Sequence, residues 1–270
     1  MANNKKIEIQ STPTGISKPR PDFRKGDFEI AIHQKGYNVL HEKALHCPCK
    51  SKSVGGQLSD CQNCGGTGWA FINPVKTRFI IHSMNHSTEY KEWSEENRGT
   101  ASISTRDIEE ISFMDRVTVL HGISIFNEVR YLKMKNDLLF FSLTYPVKEI
   151  EYLALFESPT LPYLQLTEDE DYTIENNFIF LDEKFRTLVE GNEQADQISI
   201  TVRYKHNPQY HIIDIPRHTM LTNIDKGQRE QSDIVMPIHA IGRYTHYVLD
   251  TENINGDRII DNSLPIEESC

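Results

Sequence analysis

The sequence has few long apolar runs and a modest share of hydrophobic residues. These residues make up 38% of the 270 positions, and no stretch approaches the roughly 20 consecutive apolar residues of a transmembrane helix. We therefore expect no membrane association. Long loops, extended arms or surface buried only on assembly would each explain an apolar share below that of one compact globule.

Amphipathic helix patterns are also scarce. No apolar stripe with i, i+3, i+4, i+7 spacing is longer than about two turns. Segments rich in β-branched and aromatic residues instead recur about every ten residues, with turn residues between them. The pattern predicts an all-β fold, a small β-barrel followed by a β-sandwich-like module, with a zinc-stapled loop and extended terminal arms.

The same pattern divides the chain into five predicted segments. Phe28, Ile30 and Ile32 alternate like the first strand of a hairpin, and Ile234 to Leu249 is the one credible β stretch near the end. The predicted segments are an extended arm (1–27), a hairpin with a four-cysteine loop (28–75), a β-barrel (76–145), a second Ig-like or connector-type β domain (146–220), and peripheral strands with a tail (221–270).

Motifs of common enzyme families are missing. The sequence has no Gly-x-Ser-x-Gly elbow, no phosphate-binding glycine loop and no His-Glu-x-x-His pair. Its 11 histidines are scattered, and we expect them to be half-exposed surface residues. We predict that the chain is not an enzyme. A hydrolase with an unrecognised site is a third hypothesis, behind the two developed below.

Positive charge is in deficit, with a net charge of −10. This balance argues against a protein that binds nucleic acid mainly by neutralising phosphates. Residues 1–25 are the exception, because six basic residues face only Glu8 and Asp22, a net of +4. Such an arm suits an acidic neighbour or DNA, and an ordinary solvated tail is the alternative.

Four of the five cysteines lie close together, as Cys47, Cys49, Cys61 and Cys64. Two close pairs joined by a short loop can place four thiolates around a tetrahedral zinc ion. A closed set of four thiolates leaves no open coordination position, so the predicted role is structural. His41 and His46 flank the cysteines, and either is an alternative ligand if one pair opens.

Disulfides, reduced thiols and redox chemistry are the other interpretations of this cluster. The first ten residues are polar and charged, so we expect no signal peptide and synthesis in the cytosol, where disulfides are disfavoured. Four cysteines also bind iron, and the spacing does not separate the two metals.

Asp115 and Arg116 precede a predicted strand. Such a pair commonly orients a turn through a charge-assisted hydrogen bond. Two exposed charges with no structural role are an equally weighted alternative.

Taken together, these features resemble neck proteins of tailed bacteriophages. The resemblance covers roughly residues 28–220. It rests on the CxC…CxxCxGxGW loop, on Gly99 to Val119 with its Asp-Arg-Val-Thr-Val end, and more weakly on a second module that resembles Ig-like or connector-type domains (Asp171 to Ile174, Phe178 to Phe180, Ile198 to Tyr204, Pro208 and Tyr210).

The resemblance implies a head–tail connector of the stopper or adaptor kind. Such a protein forms a homo-oligomeric ring in the virion, contacts portal or adaptor and tail proteins, and lets DNA pass without sequence-specific binding. The second hypothesis is a nucleic-acid-binding zinc-ribbon protein, suggested by the cysteine loop and the basic arm. The lysines near the loop support it, but the loop has no arginine.

Overall fold

A computed structural model describes residues 25–49, 61, 63–64, 66–83, 98–106, 109–135, 138–157, 162–186, 198–217, 221–224, 232–235 and 237–249. These residues form sixteen β-strands and two α-helices, so the predicted all-β class is confirmed. None of the helices described is both long and apolar enough to cross a membrane.

In chain order the elements are α1 (Lys25–Lys35), β1 (Tyr37–His46), β2 (Trp69–Ser83), β3 (Thr100–Ser104), β4 (Arg116–Val119), β5 (Ser124–Tyr131), β6 (Lys133–Lys135), β7 (Leu138–Ser142), β8 (Val147–Phe156), β9 (Leu164–Gln165), β10 (Tyr172–Glu175), β11 (Phe178–Leu181), a 3₁₀ helix (Glu183–Phe185), β12 (Ser199–His206), β13 (Gln209–Arg217), β14 (Leu221–Ile224), β15 (Ser232–Val235), β16 (His239–Tyr244) and α2 (Thr245–Val248).

Six strands close into an antiparallel barrel in the order β1-β2-β3-β16-β13-β4, with β4 pairing back onto β1. Its buried core includes Val39, Phe79, Ile103, Val117 and Ile212. These side chains come from five of the six strands, so closure of the barrel and burial of its core depend on each other.

The strands from β5 to β12 form a second unit between β4 and β13. One sheet has the order β5-β12-β8-β9 and the other β10-β11-β7-β6. Both sheets contribute to one hydrophobic core, which includes Phe141, Leu153, Ile179 and Ile200. The unit is therefore a β-sandwich inserted into the barrel chain.

The strand pairing does not follow the predicted boundaries of 76–145 and 146–220. The barrel takes its strands from residues 37–119 and 209–244, and the sandwich spans 124–206. The two crossings between the units lie side by side, where the Val119 amide donates to the Pro208 carbonyl at 2.8 Å. Strands of both units have similar local patterns, so alternation alone does not identify which strands pair.

The predicted strand around Phe28 is instead part of α1. Phe28 and Ile32 are spaced i, i+4 and share a helix face, and Ile32 is buried whereas Ile30 is exposed. A run this short fits the periodicity of a strand and that of a helix equally well. The Gly36 amide, which donates to the Ile32 carbonyl at 2.8 Å, ends the helix.

The C-terminal prediction also needs correction. The stretch from Ile234 to Leu249 was predicted as a peripheral strand, but β16 lies inside the barrel between β3 and β13. Thr245–Val248 then forms α2. Within the predicted arm and tail, residues 1–24 and 250–270 lie outside the described part of the chain.

Candidate metal centre

The cysteine cluster lies at the end of the β1–β2 hairpin. The two strands pair from Tyr37–Phe79 to His46–Trp69, and the Cys47 amide extends the ladder by donating to the Gly68 carbonyl at 2.8 Å. The register shifts between His41 and Lys43. The hairpin thus continues past the barrel and carries the cysteines at its tip.

The four sulfur atoms are close enough to share one ion. All lie within 4.8 Å of one another, with 3.7 Å between the Sγ atoms of Cys47 and Cys61 and 3.3 Å between those of Cys49 and Cys64. A tetrahedral zinc site with Zn–S near 2.3 Å places its sulfurs about 3.8 Å apart. The four cysteines are free, and these separations are far longer than the S–S bond of a disulfide. The predicted ligands therefore form a set able to hold a metal ion.

The backbone around Cys61 and Cys64 favours thiolate at one of the two positions. Hydrogen bonds from the amides of Cys64 and Asn63 lower the pKa of the Cys61 thiol to about 7. Burial raises the pKa of the Cys64 thiol, although the amides of Gly68 and Gly66 act in the opposite direction. Both glycines have positive φ, of 78° and 88°, which lets the chain turn around the sulfurs.

Asp115 fixes the hairpin to the barrel. Its side chain is 1% exposed, and its carboxylate accepts hydrogen bonds from the amides of Ala44 and Ser112, each at 2.8 Å. The carboxylate also lies 3.0 Å from Nε2 of His41. The Ala44 contact falls just beyond the register shift, so Asp115 holds the hairpin where it leaves the barrel.

Arg116 makes a second connection at the same place. It donates from Nε and Nη2 to the carboxylate of Glu42, both at 2.6 Å, and its guanidinium lies 4.3 Å from the centre of the Phe71 ring. Both charged side chains are nearly buried. The alternative of two exposed charges at Asp115 and Arg116 is wrong.

His211 completes this buried polar group under the hairpin. Its ring lies 5.2 Å from that of Phe71, its Nδ1 is 3.3 Å from the Met114 carbonyl, and its Nε2 is buried without a hydrogen-bond partner. Burial, with the charge of Arg116, lowers the pKa of His211 to about 3. The imidazole is therefore neutral at physiological pH.

Neither flanking histidine takes a ligand position. His41 bonds to Asp115, and the ring of His46 packs edge-on against Trp69 at 5.0 Å. The expectation of half-exposed histidines is wrong for His41, His206 and His211, which are buried. The sequence offers no signal that pairs Glu42 with Arg116, because 74 positions separate them.

An aromatic cluster joins the sandwich to the barrel. Tyr145 stacks on His206 with 3.9 Å between ring centres, and its hydroxyl oxygen lies 2.6 Å from Nδ1 of His246. Burial lowers the pKa of His206 to about 4. An open hollow of about 430 Å³ lies beside this cluster, lined in part by Arg98, Phe126 and Tyr247.

Two comparisons with known proteins find no relative of this chain. No protein-family model matches the chain, and a search of curated proteins finds no match. The fold, the cysteine cluster and the resemblance of the motifs are therefore the evidence that bears on function.

Proposed function

We propose that the chain is a structural protein of a tailed bacteriophage and forms part of the head–tail connector ring. The supporting observation is that two motifs on which the resemblance rests lie together in one unit of the structure. The cysteine loop ends the β1–β2 hairpin, and Asp115 and Arg116, from the Gly99 to Val119 segment, hold that hairpin to the barrel. Motifs about 50 residues apart in sequence thus build one element that carries the four cysteines.

Zinc is the ion that we propose for the cluster. Cys47, Cys49, Cys61 and Cys64 supply four soft ligands in a closed set, which suits structural zinc and leaves no position for a substrate. When bound, the ion would add folding free energy to the hairpin tip. Among the described residues of that tip, Leu45 and Ile72 are exposed apolar side chains.

The proposed role is assembly rather than catalysis. The ring would be homo-oligomeric, would contact portal or adaptor and tail proteins, and would reside in the virion after synthesis in the host cytoplasm. A net charge of −10 disfavours tight binding of phosphates. DNA would therefore pass through the ring without being held tightly, and we propose no sequence-specific contacts.

A nonsense codon in this gene, in the genome of the phage that carries it, tests the role directly. We expect lysates with DNA-filled heads and separate tails, and a suppressor strain should restore complete particles. Normal infectious virions made without the protein would contradict the proposal. Native mass spectrometry with metal analysis should give one zinc per chain, and iron would be distinguished by its visible absorption.

A nucleic-acid-binding zinc module is the competing function. Its distinguishing result is a salt-dependent affinity for DNA, with micromolar or tighter binding by a monomer. Around the hairpin tip, Leu45, Ile72 and Phe113 are exposed apolar residues, and the amine of Lys43 is paired with Glu110 at 2.9 Å. These contacts favour a protein partner at the tip.

A further inference from the structure

The hollow beside the aromatic cluster lies where the barrel meets the sandwich. The sandwich contributes Ile125, Phe126 and His206 to its lining, and α2 contributes His246 and Tyr247. Ile125 and Tyr247 are exposed, at 48% and 43%, and the rings of Phe126 and His246 stack with 4.5 Å between their centres. Its volume of about 430 Å³ falls within the range of about 300–1,000 Å³ that is usual for binding pockets. The hollow can therefore take an apolar side chain.

Packing between α2 and the loop before β3 fixes the shape of the hollow. The Tyr244 amide donates to the Gly99 carbonyl at 3.0 Å. A Cβ added at Gly99 would lie 2.6 Å from ring atoms of Tyr247, and Gly99 has a φ of 70°. Only glycine adopts this conformation readily and leaves room for the ring. The hollow is therefore bounded by packed side chains rather than by a loose loop.

The charged groups beside the hollow are basic. Arg98 lines it with an exposed side chain, and the guanidinium of Arg243 lies 5.1 Å from the centre of the Tyr247 ring. None of the ion pairs in the described part of the chain includes either arginine. Burial lowers the pKa of His246, opposed by the charge of Glu128 and aided by that of Arg243. The imidazole is thus neutral at physiological pH, and the site suits an apolar segment that carries negative charge.

The segment that follows α2 has this chemistry. Residues 250–270 include six acidic residues and one basic residue, Arg258, which gives a net charge of −5. Ile259 and Ile260 are the one pair of adjacent apolar residues in this segment, and Asp257 and Asp261 stand on either side of them. The segment therefore combines an apolar anchor with the charge that complements Arg98 and Arg243.

The same segment can reach the hollow within one copy. It begins one residue after Leu249, and Tyr247, which lines the hollow, precedes Leu249 by two positions. The ten residues from Leu249 to Ile259 span up to about 33 Å when extended. Asn255 and Gly256 lie between them, and this dipeptide favours a tight turn that can return the chain.

We propose that residues 250–270 fold back onto the hollow of their own copy, with Ile259 and Ile260 as the apolar anchor. Asp257 and Asp261 would then face the two arginines. Because both units line the hollow, the segment would connect the barrel and the sandwich. This inference concerns the chain's own C-terminal segment and goes beyond the proposed role in the connector ring.

Cleavage by trypsin tests the contact in the full chain. Arg258 is the one basic residue in 250–270, so trypsin cuts this segment only there and releases residues 259–270. Intact-mass spectrometry follows the loss of that fragment over time. Cleavage requires the segment to leave the hollow, so its rate reports the population of the released state when release is fast.

Two variants of the hollow have matched controls. Ile125→Asp places a charge in the hollow and Arg98→Glu reverses one beside it, whereas Val129→Asp on the same strand and Lys76→Glu on β2 make the same changes at exposed positions outside its lining. None of the four adds a trypsin site. We expect cleavage after Arg258 to be about tenfold faster in each hollow variant, as for a loss of about 1.4 kcal/mol of local stability, and unchanged in each control. Circular dichroism and thermal unfolding show whether each variant keeps the fold.

A double-variant cycle tests the charge contact itself. Asp261→Asn should speed cleavage in the wild-type chain. In the Arg98→Glu background it should have no further effect, because the segment is already released. Equal effects of Asp261→Asn in both backgrounds would show that Asp261 acts on the protease and not on the hollow.

Three further results would overturn this arrangement. Equal cleavage rates in the wild type and both hollow variants would place the segment elsewhere, and faster cleavage in the controls as well would remove the assignment to the hollow. Contact within one copy predicts a cleavage rate per chain that is the same at about 1 µM and about 100 µM protein. Protection that increases with concentration would show instead that the hollow takes the segment of another copy.

Discussion

Asp115 connects two parts of the chain that are far apart in sequence, the strand β1 and the loop before β4. Its carboxylate accepts from Ala44 on β1 and from Ser112 in the preceding loop, and it contacts His41. A carboxylate suits this position because every group that faces it can donate a hydrogen bond. The sequence indicated that Asp115 and Arg116 orient a turn, but their partners were not predictable, since no local pattern specifies contacts over 70 residues.

Asp115→Asn should therefore be strongly destabilising. The amide nitrogen would face a buried N–H donor, and the hydrogen bonds to a charged acceptor would be lost. We expect a loss of about 2–4 kcal/mol in the free energy of unfolding, measured by urea denaturation of the zinc-loaded protein. Glu110→Gln removes an exposed carboxylate paired with Lys43 and should leave the free energy of unfolding nearly unchanged, because solvent screens the pair. Equal effects of the two variants would contradict the role of Asp115.

His211 should make the protein sensitive to acid. Its pKa is about 3 in the folded state and near 6.5 in an unfolded chain. Between these values the unfolded state binds more protons, so stability falls as pH decreases below 6.5. His211 alone should change the free energy of unfolding by up to about 1.4 kcal/mol per pH unit in this range. His211→Leu should reduce the slope of unfolding free energy against pH between 6 and 5, as zinc content is monitored at each pH. An unchanged slope would show that His211 is not protonated on unfolding.

At the scale of elements, the sequence predicted where many strands lie better than it predicted which strands pair. Alternation located many of the strands, and the cysteine spacing identified all four residues of the cluster. The local pattern did not reveal that β16 is a strand of the barrel or that α1 is a helix. Both depend on tertiary contacts that a local pattern does not contain. The cysteine cluster was predictable because two close pairs separated by a short loop can bring four thiols together around one ion.

The hairpin beyond the register shift should depend on the metal more than the barrel does. Its outer residues include exposed Leu45 and Ile72, whereas Val39 and Phe79 lie in the barrel core. Removal of the metal by a chelator should speed hydrogen exchange at the Cys47 and Trp69 amides at least about tenfold, which is roughly 1.4 kcal/mol of local stability. The β12 amides in the sandwich should keep their protection and serve as the internal control. Loss of protection throughout the barrel would show instead that the metal stabilises the whole fold.

On the scale of the whole molecule, the barrel and the sandwich have separate cores. No residue belongs to both clusters, and the chain crosses between the units twice at one place. There the Val119 amide bonds to the Pro208 carbonyl, and a Cβ added at Gly122 would lie 2.7 Å from Cδ of Pro208. Tyr145 and His246 provide a polar contact across the junction. This arrangement places the four-cysteine hairpin on the barrel, apart from the core of the sandwich.

Excision of the sandwich should leave the barrel and its cysteine cluster intact. A chain in which a short Gly-Ser linker replaces residues 124–206 keeps all six barrel strands and all four cysteines. It should unfold cooperatively and bind one zinc, because its core and the Asp115 contacts are intact. Exposure of His246, which stacks on Phe126 and bonds to Tyr145 in the full chain, should lower its stability relative to the full chain. Thermal unfolding and metal analysis of the excised chain check both expectations. Failure of the excised chain to fold or to bind zinc would show that the barrel needs its insertion.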